Sequence, residues 1–88
     1  MAIDPKPLRY TGHAEDSIAE RELDRIWIEQ TVREPDWSVP DPKQAGVERR
    51  FRVIPAFGGR ILRVACLESW AEIRILTAFF DRDAKRPK

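Results

Sequence analysis

His13 is the single histidine of an 88-residue chain, and it stands in the run Thr11-Gly12-His13-Ala14. Histidine as a residue type titrates near neutrality, so a side chain at this place can act as general acid or base. Arginine complements such chemistry. A guanidinium neutralises charge that builds on a phosphoryl group and does not itself titrate. The second half of the chain is rich in it: Arg49, Arg50, Arg52, Arg60, Arg63, Arg74 and Arg82. Residues 49–88 hold ten Lys/Arg against four Asp/Glu, a net of +6, and residues 1–48 hold six against eleven, a net of −5. The whole-chain charge of +1 conceals that division. A split of this kind points to an anionic partner on one side of the molecule.

Other chemistries lack their residues. One cysteine, Cys66, excludes an internal disulfide, and one Cys with one His is too few for a zinc site without carboxylate help. Cys66 reads instead as a small buried hydrophobe of a strand. There is no P-loop and no dinucleotide-binding glycine motif, and Gly58-Gly59 precedes a strand, so it reads as a hairpin turn. Ser17, Ser38 and Ser69 lack a nucleophile-elbow context. Neither a metal nor a cofactor is expected. Glu15 and Asp16 beside His13 can orient an imidazole, although carboxylates clustered on helices also read as a solvated face.

At 88 residues the chain is one small domain with a single thin core. Size scaling has such a chain bury about 60–65% of the surface its unfolded form exposes. No apolar run approaches the roughly 20 residues that cross a bilayer. Met1-Ala2-Ile3-Asp4-Pro5 lacks the layout of a signal peptide. No membrane is expected as a partner, and the expected compartment is the cytoplasm.

These residues must be positioned by a few elements. Residues 1–7 carry two prolines and read as a flexible N-terminal segment. Residues 8–82 read as the domain, and 83–88 as a basic C-terminal tail. Leu8–Thr11 is a candidate edge strand, ended by Gly12. A first helix is expected over His13–Arg21, capped by Thr11 or Gly12, with Ala14, Ile18 and Arg21 inward. A second is expected over Arg25–Glu34, with Asp24 as N-cap and an apolar stripe of Leu23, Trp27, Ile28, Thr31 and Val32. Residues 35–46 read as a proline-stiffened loop. Three strands follow, Val47–Pro55, Arg60–Leu67 and Trp70–Phe80, and their short connections make neighbours antiparallel. The order β-α-α-β-β-β describes a two-layer α+β domain, an antiparallel sheet with both helices on one face.

Alternation divides each strand into two faces. Arg49, Phe51 and Val53 share one side of the first strand, and Arg50 and Arg52 the other. Leu62, Val64 and Cys66 oppose Ile61, Arg63, Ala65 and Leu67. Ile73, Ile75, Thr77 and Phe79 oppose Trp70, Glu72, Arg74, Leu76 and Phe80. One face is apolar and is expected to meet the helices. The other is expected to mix Arg50, Arg52, Arg63 and Arg74 with Ile54, Ile61, Leu76 and Phe80. Arginine between apolar side chains suits unpaired bases, so single-stranded RNA is the expected ligand. Arg49, Arg50, Arg52, Arg60 and Arg74 are the expected RNA contacts. Four such contacts give a slope of log affinity on log salt of about −3. Two further readings stand beside this one: a solvated face that blunts aggregation, and a seat for a protein partner or second copy.

The same residues carry a resemblance. The chain resembles a family of small bacterial domains of unknown function that open on a Thr-x-His-Ala motif, here Thr11-Gly12-His13-Ala14. Their two short helices end here at Glu34-Pro35-Asp36. They close on strands like Gly59-Arg60-Ile61-Leu62-Arg63-Val64 and Ile75-Leu76-Thr77-Ala78-Phe79-Phe80-Asp81-Arg82. That family is similar in element order to BrnT-like and RelE-like toxins of toxin–antitoxin pairs. The resemblance implies a metal-independent ribonuclease or RNA-binding domain, acting on messenger RNA and often at the ribosome, with an antitoxin partner over the basic face. It implies His13 as acid or base, with Arg63 and Arg82 as basic catalytic residues. The alternative is a non-catalytic interaction module that pairs with another protein or with itself. The chain departs from the family pattern twice, at Ser17, where many members have arginine, and at Arg21-Glu22, where many have Arg-Gly. Glutamate takes left-handed angles less cheaply than glycine, so a different turn or a run-on helix is expected there.

Overall fold

Thr11 and Asp24 each have extended backbone angles and open a helix. The Thr11 hydroxyl accepts from the N–H of Ala14 at 3.1 Å, and the Asp24 carboxylate from that of Ile26 at 2.8 Å. The structure, a computed structural model, describes residues 6–87. Strand β1 (Leu8–Tyr10) leads into helix α1 (Gly12–Arg21) and helix α2 (Arg25–Arg33). Strands β2 (Trp37–Pro40), β3 (Val47–Ile54), β4 (Arg60–Glu68) and β5 (Ile73–Phe80) follow, with a 3-10 turn at Pro55–Phe57. The five strands form one sheet in the order β1-β5-β4-β3-β2. β1 runs parallel to β5 and the remaining neighbours are antiparallel, so the sheet is mixed. The domain is α+β with the expected run of elements and one added strand.

The two helices lie on one face of the sheet. Ala14 and Ile18 of α1, and Ile28 and Val32 of α2, meet Leu62, Val64, Cys66, Ile73, Ile75 and Ala78 in the core. Cys66 is buried there, and loss of solvation pushes its thiol up to about 11. Arg21 is exposed rather than inward, and Ser17 takes the buried place. α1 does not run on into α2. Glu22 adopts left-handed angles, φ 52° and ψ 46°, and the N–H of Leu23 closes on the Ile18 carbonyl at 3.0 Å. The turn forms with glutamate in a position that favours glycine.

The segment expected as a loop contains β2. Trp37 stacks on Phe51 of β3, with centroids 5.0 Å apart and planes within 6°. Its prolines are compatible with this because β2 is an edge strand. β5 begins at Ile73, not at Trp70. The hydroxyl of Ser69 accepts from the N–H groups of Ala71 and Glu72 and forms the turn instead. Of the N-terminal segment, residues 1–5 lie outside the described residues. Residues 6–7 are held: Ile73 donates to the Pro7 carbonyl, and Lys6 pairs with Glu68 at 2.7 Å. Within the tail, Lys88 lies outside the described residues, and Arg86 pairs with Asp36 at 3.3 Å.

Two features of register change the faces. Arg50 pairs with Val64, and Arg52 with Leu62. Directly paired residues share a face, so Arg50, Arg52 and Ile54 belong to the helix side, not to the mixed face. The guanidinium of Arg50 donates to the Val32 carbonyl at the end of α2 and to Glu48 and Glu68. Arg52 donates to the Glu34 carbonyl. These arginines cap a helix C-terminus, where cations are favoured. The second feature is a bulge in β5. Ala65 pairs with Thr77 and Cys66 with Ile75, so Leu76 is the extra residue. Beyond it, Ala78 and Phe80 turn to the helices, and Thr77 and Phe79 turn to the outer face. This reverses the expected assignment of Thr77, Phe79 and Phe80.

Two outcomes follow. Glu22→Gly should stabilise the domain by about 1 kcal/mol, which a thermal melt would read as a rise of roughly 4–8 °C. The second concerns acid. Hydrogen bonds from Arg50 and Lys6 hold the Glu68 carboxyl below its usual 4.5. A lowered folded value means that this contribution is present above the unfolded value and is lost as pH falls through the folded one. Acidification through that window should therefore lower the melting temperature of wild type more than that of Glu68→Gln.

Candidate functional site

The cavity of chemical interest opens on the outer sheet face where β5 is bulged. Its volume is about 460 Å³, and Thr11, His13, Asp41, Lys43, Gln44, Arg49, Arg63, Ala65, Leu76 and Thr77 line it. Three parts of the chain supply its polar groups. α1 supplies His13 because its first turn is pinned at the bulge: the N–H of Thr11 donates to the Ile75 carbonyl and its hydroxyl reaches that of Leu76. The β2–β3 connection supplies Asp41, Lys43 and Gln44. β3 and β4 supply Arg49 and Arg63.

Asp41 organises one wall. Its carboxylate accepts from the N–H of Lys43 at 2.8 Å and of Gln44 at 3.0 Å, and pairs with Arg49 Nε at 3.2 Å. The Lys43 amide, foremost among these partners, holds the Asp41 carboxyl below its usual range. Arg63 forms the other wall. Its Nη1 donates to Asp81 at 3.1 Å, and its guanidinium carbon lies 5.0 Å from the centroid of Phe79. Its Nε is buried without a hydrogen-bond partner. His13 and Lys43 make no side-chain hydrogen bond or ion pair among the described residues, so both are free to meet a ligand.

The structure thus brings His13, Arg63 and Arg49 together and separates the other expected site residues. Arg82 lines a neighbouring groove of about 300 Å³ with Gly59, Arg60, Ile61, Phe80, Asp81 and Ala84. Asp81 of that groove is bonded to Arg63 of the cavity. Arg60 is therefore placed with Arg82, not with His13. Arg74 is on the outer face at the opposite end, paired with Glu72 at 3.4 Å. Arg50 and Arg52 lie behind the sheet and are occupied by the end of α2, so as RNA contacts on this face they are corrected. Among the described residues no group of His, Cys, Asp and Glu is placed to hold a metal ion, and no helix is long and apolar enough to cross a membrane.

Sequence reasoning missed Asp41, Lys43 and Gln44, because residues 35–46 read only as a connector. The signal was present in Asp41-Pro42-Lys43-Gln44, an aspartate able to bond amides two and three residues on. Thr77 was missed because the bulge inverts it. No family model matches the chain, and neither curated proteins nor solved structures provide a match.

The Arg63–Asp81 pair is part-buried, with side chains 22% and 14% exposed. A double-mutant cycle with Arg63→Ala and Asp81→Ala, read by denaturant unfolding, should give a coupling of about 1 kcal/mol.

Proposed function

We propose that the outer sheet face binds single-stranded RNA and that the domain is a metal-independent endoribonuclease of the toxin type. The observation that supports this reading most is the meeting of His13, Lys43, Arg49 and Arg63 around one cavity, from segments far apart in the chain. On this reading Lys43 and Arg49 hold phosphate oxygens, Arg63 neutralises the charge that develops at the reacting phosphate, and His13 moves the proton. The state of Arg63 also supports it. A buried guanidinium nitrogen without a partner costs about 1–3 kcal/mol. Such a cost fits a side chain held in place for a ligand. Its substrate would be messenger RNA, free or on the ribosome, in the cytoplasm. An antitoxin-like protein over the basic face completes the reading.

One observation favours the second reading, a protein-interaction module or homodimer. Trp70 is 92% exposed at the β4–β5 turn, Leu67 is exposed on β4 beside it, and Val39 is exposed on the edge strand β2. Phe80, expected on the mixed face, packs against Trp27 at 6.0 Å and belongs to the core side. Substitution there would test folding instead.

Cell-free translation with the pure protein, followed by primer extension on the messenger, tests the ribonuclease. Discrete new 5′ ends should appear in EDTA-treated RNA assays and in translation. Arg63→Ala and His13→Ala should abolish them while keeping wild-type circular dichroism. Intact messenger at micromolar protein would reject the activity. Three phosphate contacts give a salt slope of about −2, so binding should weaken roughly 20-fold between 50 and 200 mM salt.

A further inference from the structure

The groove beyond Asp81 shares Arg60 and Phe80 with an adjoining groove lined by Trp27 and Phe57. Phe57 and Phe80 stack at 4.7 Å, and Trp27 lies 5.5 Å from Phe57. The guanidinium carbon of Arg60 stands 5.0 Å from the Phe57 centroid and 5.1 Å from that of Phe80. The rings thereby hold Arg60 in place without a carboxylate. Neither Arg60 nor Arg82 makes an ion pair among the described residues. Phe57 is 40% exposed, and Arg60 and Arg82 are exposed. Two cations without counter-charges beside an exposed aromatic surface differ from the Arg49 and Arg63 pairs of the main cavity. They match a ligand that brings both a planar ring and a negative charge.

We infer that Phe57, Arg60 and Arg82 form a second nucleotide subsite, which holds the RNA strand beyond the nucleotide in the His13–Arg63 cavity. The inference rests on the RNA reading above. A base stacks on the Phe57–Arg60 surface, since an arginine plane held on aromatic rings is itself a stacking platform. Arg82 takes the adjoining phosphate. Arg60 pairs with Ile54 and lies on the helix side of β4, and Arg63 lies on the outer side, so the RNA strand passes round the end of the sheet from one to the other. Asp81, which lines the groove and is bonded to Arg63 of the cavity, marks where the strand crosses. Exposed Gly58 and Gly59 keep side chains off the end of the groove.

Fluorescence anisotropy with 2′-O-methyl oligouridylates of three and nine nucleotides, which resist cleavage, tests the subsite. Arg60→Ala should weaken the nonamer about tenfold, the scale of one lost stacking contact, and leave the trinucleotide unchanged. Phe57→Ala should do the same. Arg60→Lys, which keeps the charge and loses the plane, should recover only part. Arg82→Ala should make the nonamer salt slope shallower by about 0.7. Arg63→Ala should weaken both oligomers. Circular dichroism and thermal melts establish that each variant is folded. If Arg60→Ala and Phe57→Ala bind the nonamer like wild type while Arg63→Ala does not, the subsite is overturned and the RNA reading stands. If wild type binds neither oligomer, both are overturned. If Phe57→Asp then also converts a sedimenting dimer to monomer, the groove is a contact between copies.

Discussion

One extra residue in β5 governs the geometry of this domain. With Leu76 unpaired, the strand changes phase between Ile75 and Thr77. Ile73 and Ile75 face the helices before the bulge, and Ala78 and Phe80 do so after it. Without the bulge, Phe80 would leave Trp27 and Phe79 would enter the core. The bulge also marks where β1 stops pairing and α1 begins. Thr11 bonds to the carbonyls of Ile75 and Leu76, one with its amide and one with its hydroxyl, while capping α1. The same local irregularity therefore sets the core, starts the helix and carries His13 to the rim of the outer face.

The arginines of the second half are sorted by that architecture into separate duties. Arg50 and Arg52 close the C-terminal end of α2, whose last carbonyls would otherwise lack partners. Arg50 is 11% exposed and held by Glu48 and Glu68, so its charge is fully engaged. Arg49 and Arg63 line the cavity, each steadied by one aspartate. Arg60 rests on phenylalanine rings. The net basic charge of this half is therefore a poor guide to free positive surface. Much of it is engaged in internal pairing; among the described residues of this half Arg60, Arg82 and Lys85 make no ion pair, and Lys43 of the first half stands beside the cavity.

Several elements were legible because their causes are local. Asp24 with Pro35, the alternation of β4, and the Gly58-Gly59 turn each act over a few residues. Both glycines have positive φ, 68° and 73°, as the hairpin requires. The meeting of His13 with Arg63 had no local cause to read: only the family resemblance put them in one set, and Arg82, its third member, lines the neighbouring groove. Three further features were not legible. β2 is short and flanked by prolines, and it exists because Phe51 offers a ring to Trp37. Glu22 takes a left-handed angle that its residue type disfavours, because helix packing fixes the turn. The faces of β3 and β4 were matched wrongly, since alternation gives two faces to each strand and is silent on which of them coincide.

The amino-acid order by itself determined the element types, their succession and the burial of the helix stripes, because these arise from backbone preference and side-chain period within a segment. It also determined that the cationic residues would gather in the sheet. Only the tertiary structure decided which cations stay available and what stands beside them. Strand register and the bulge at Leu76 set that choice, and both are settled by the summed packing of a whole face. Shifting a strand by one residue exchanges every side chain between core and surface. An interaction that cooperative cannot be read from any one segment.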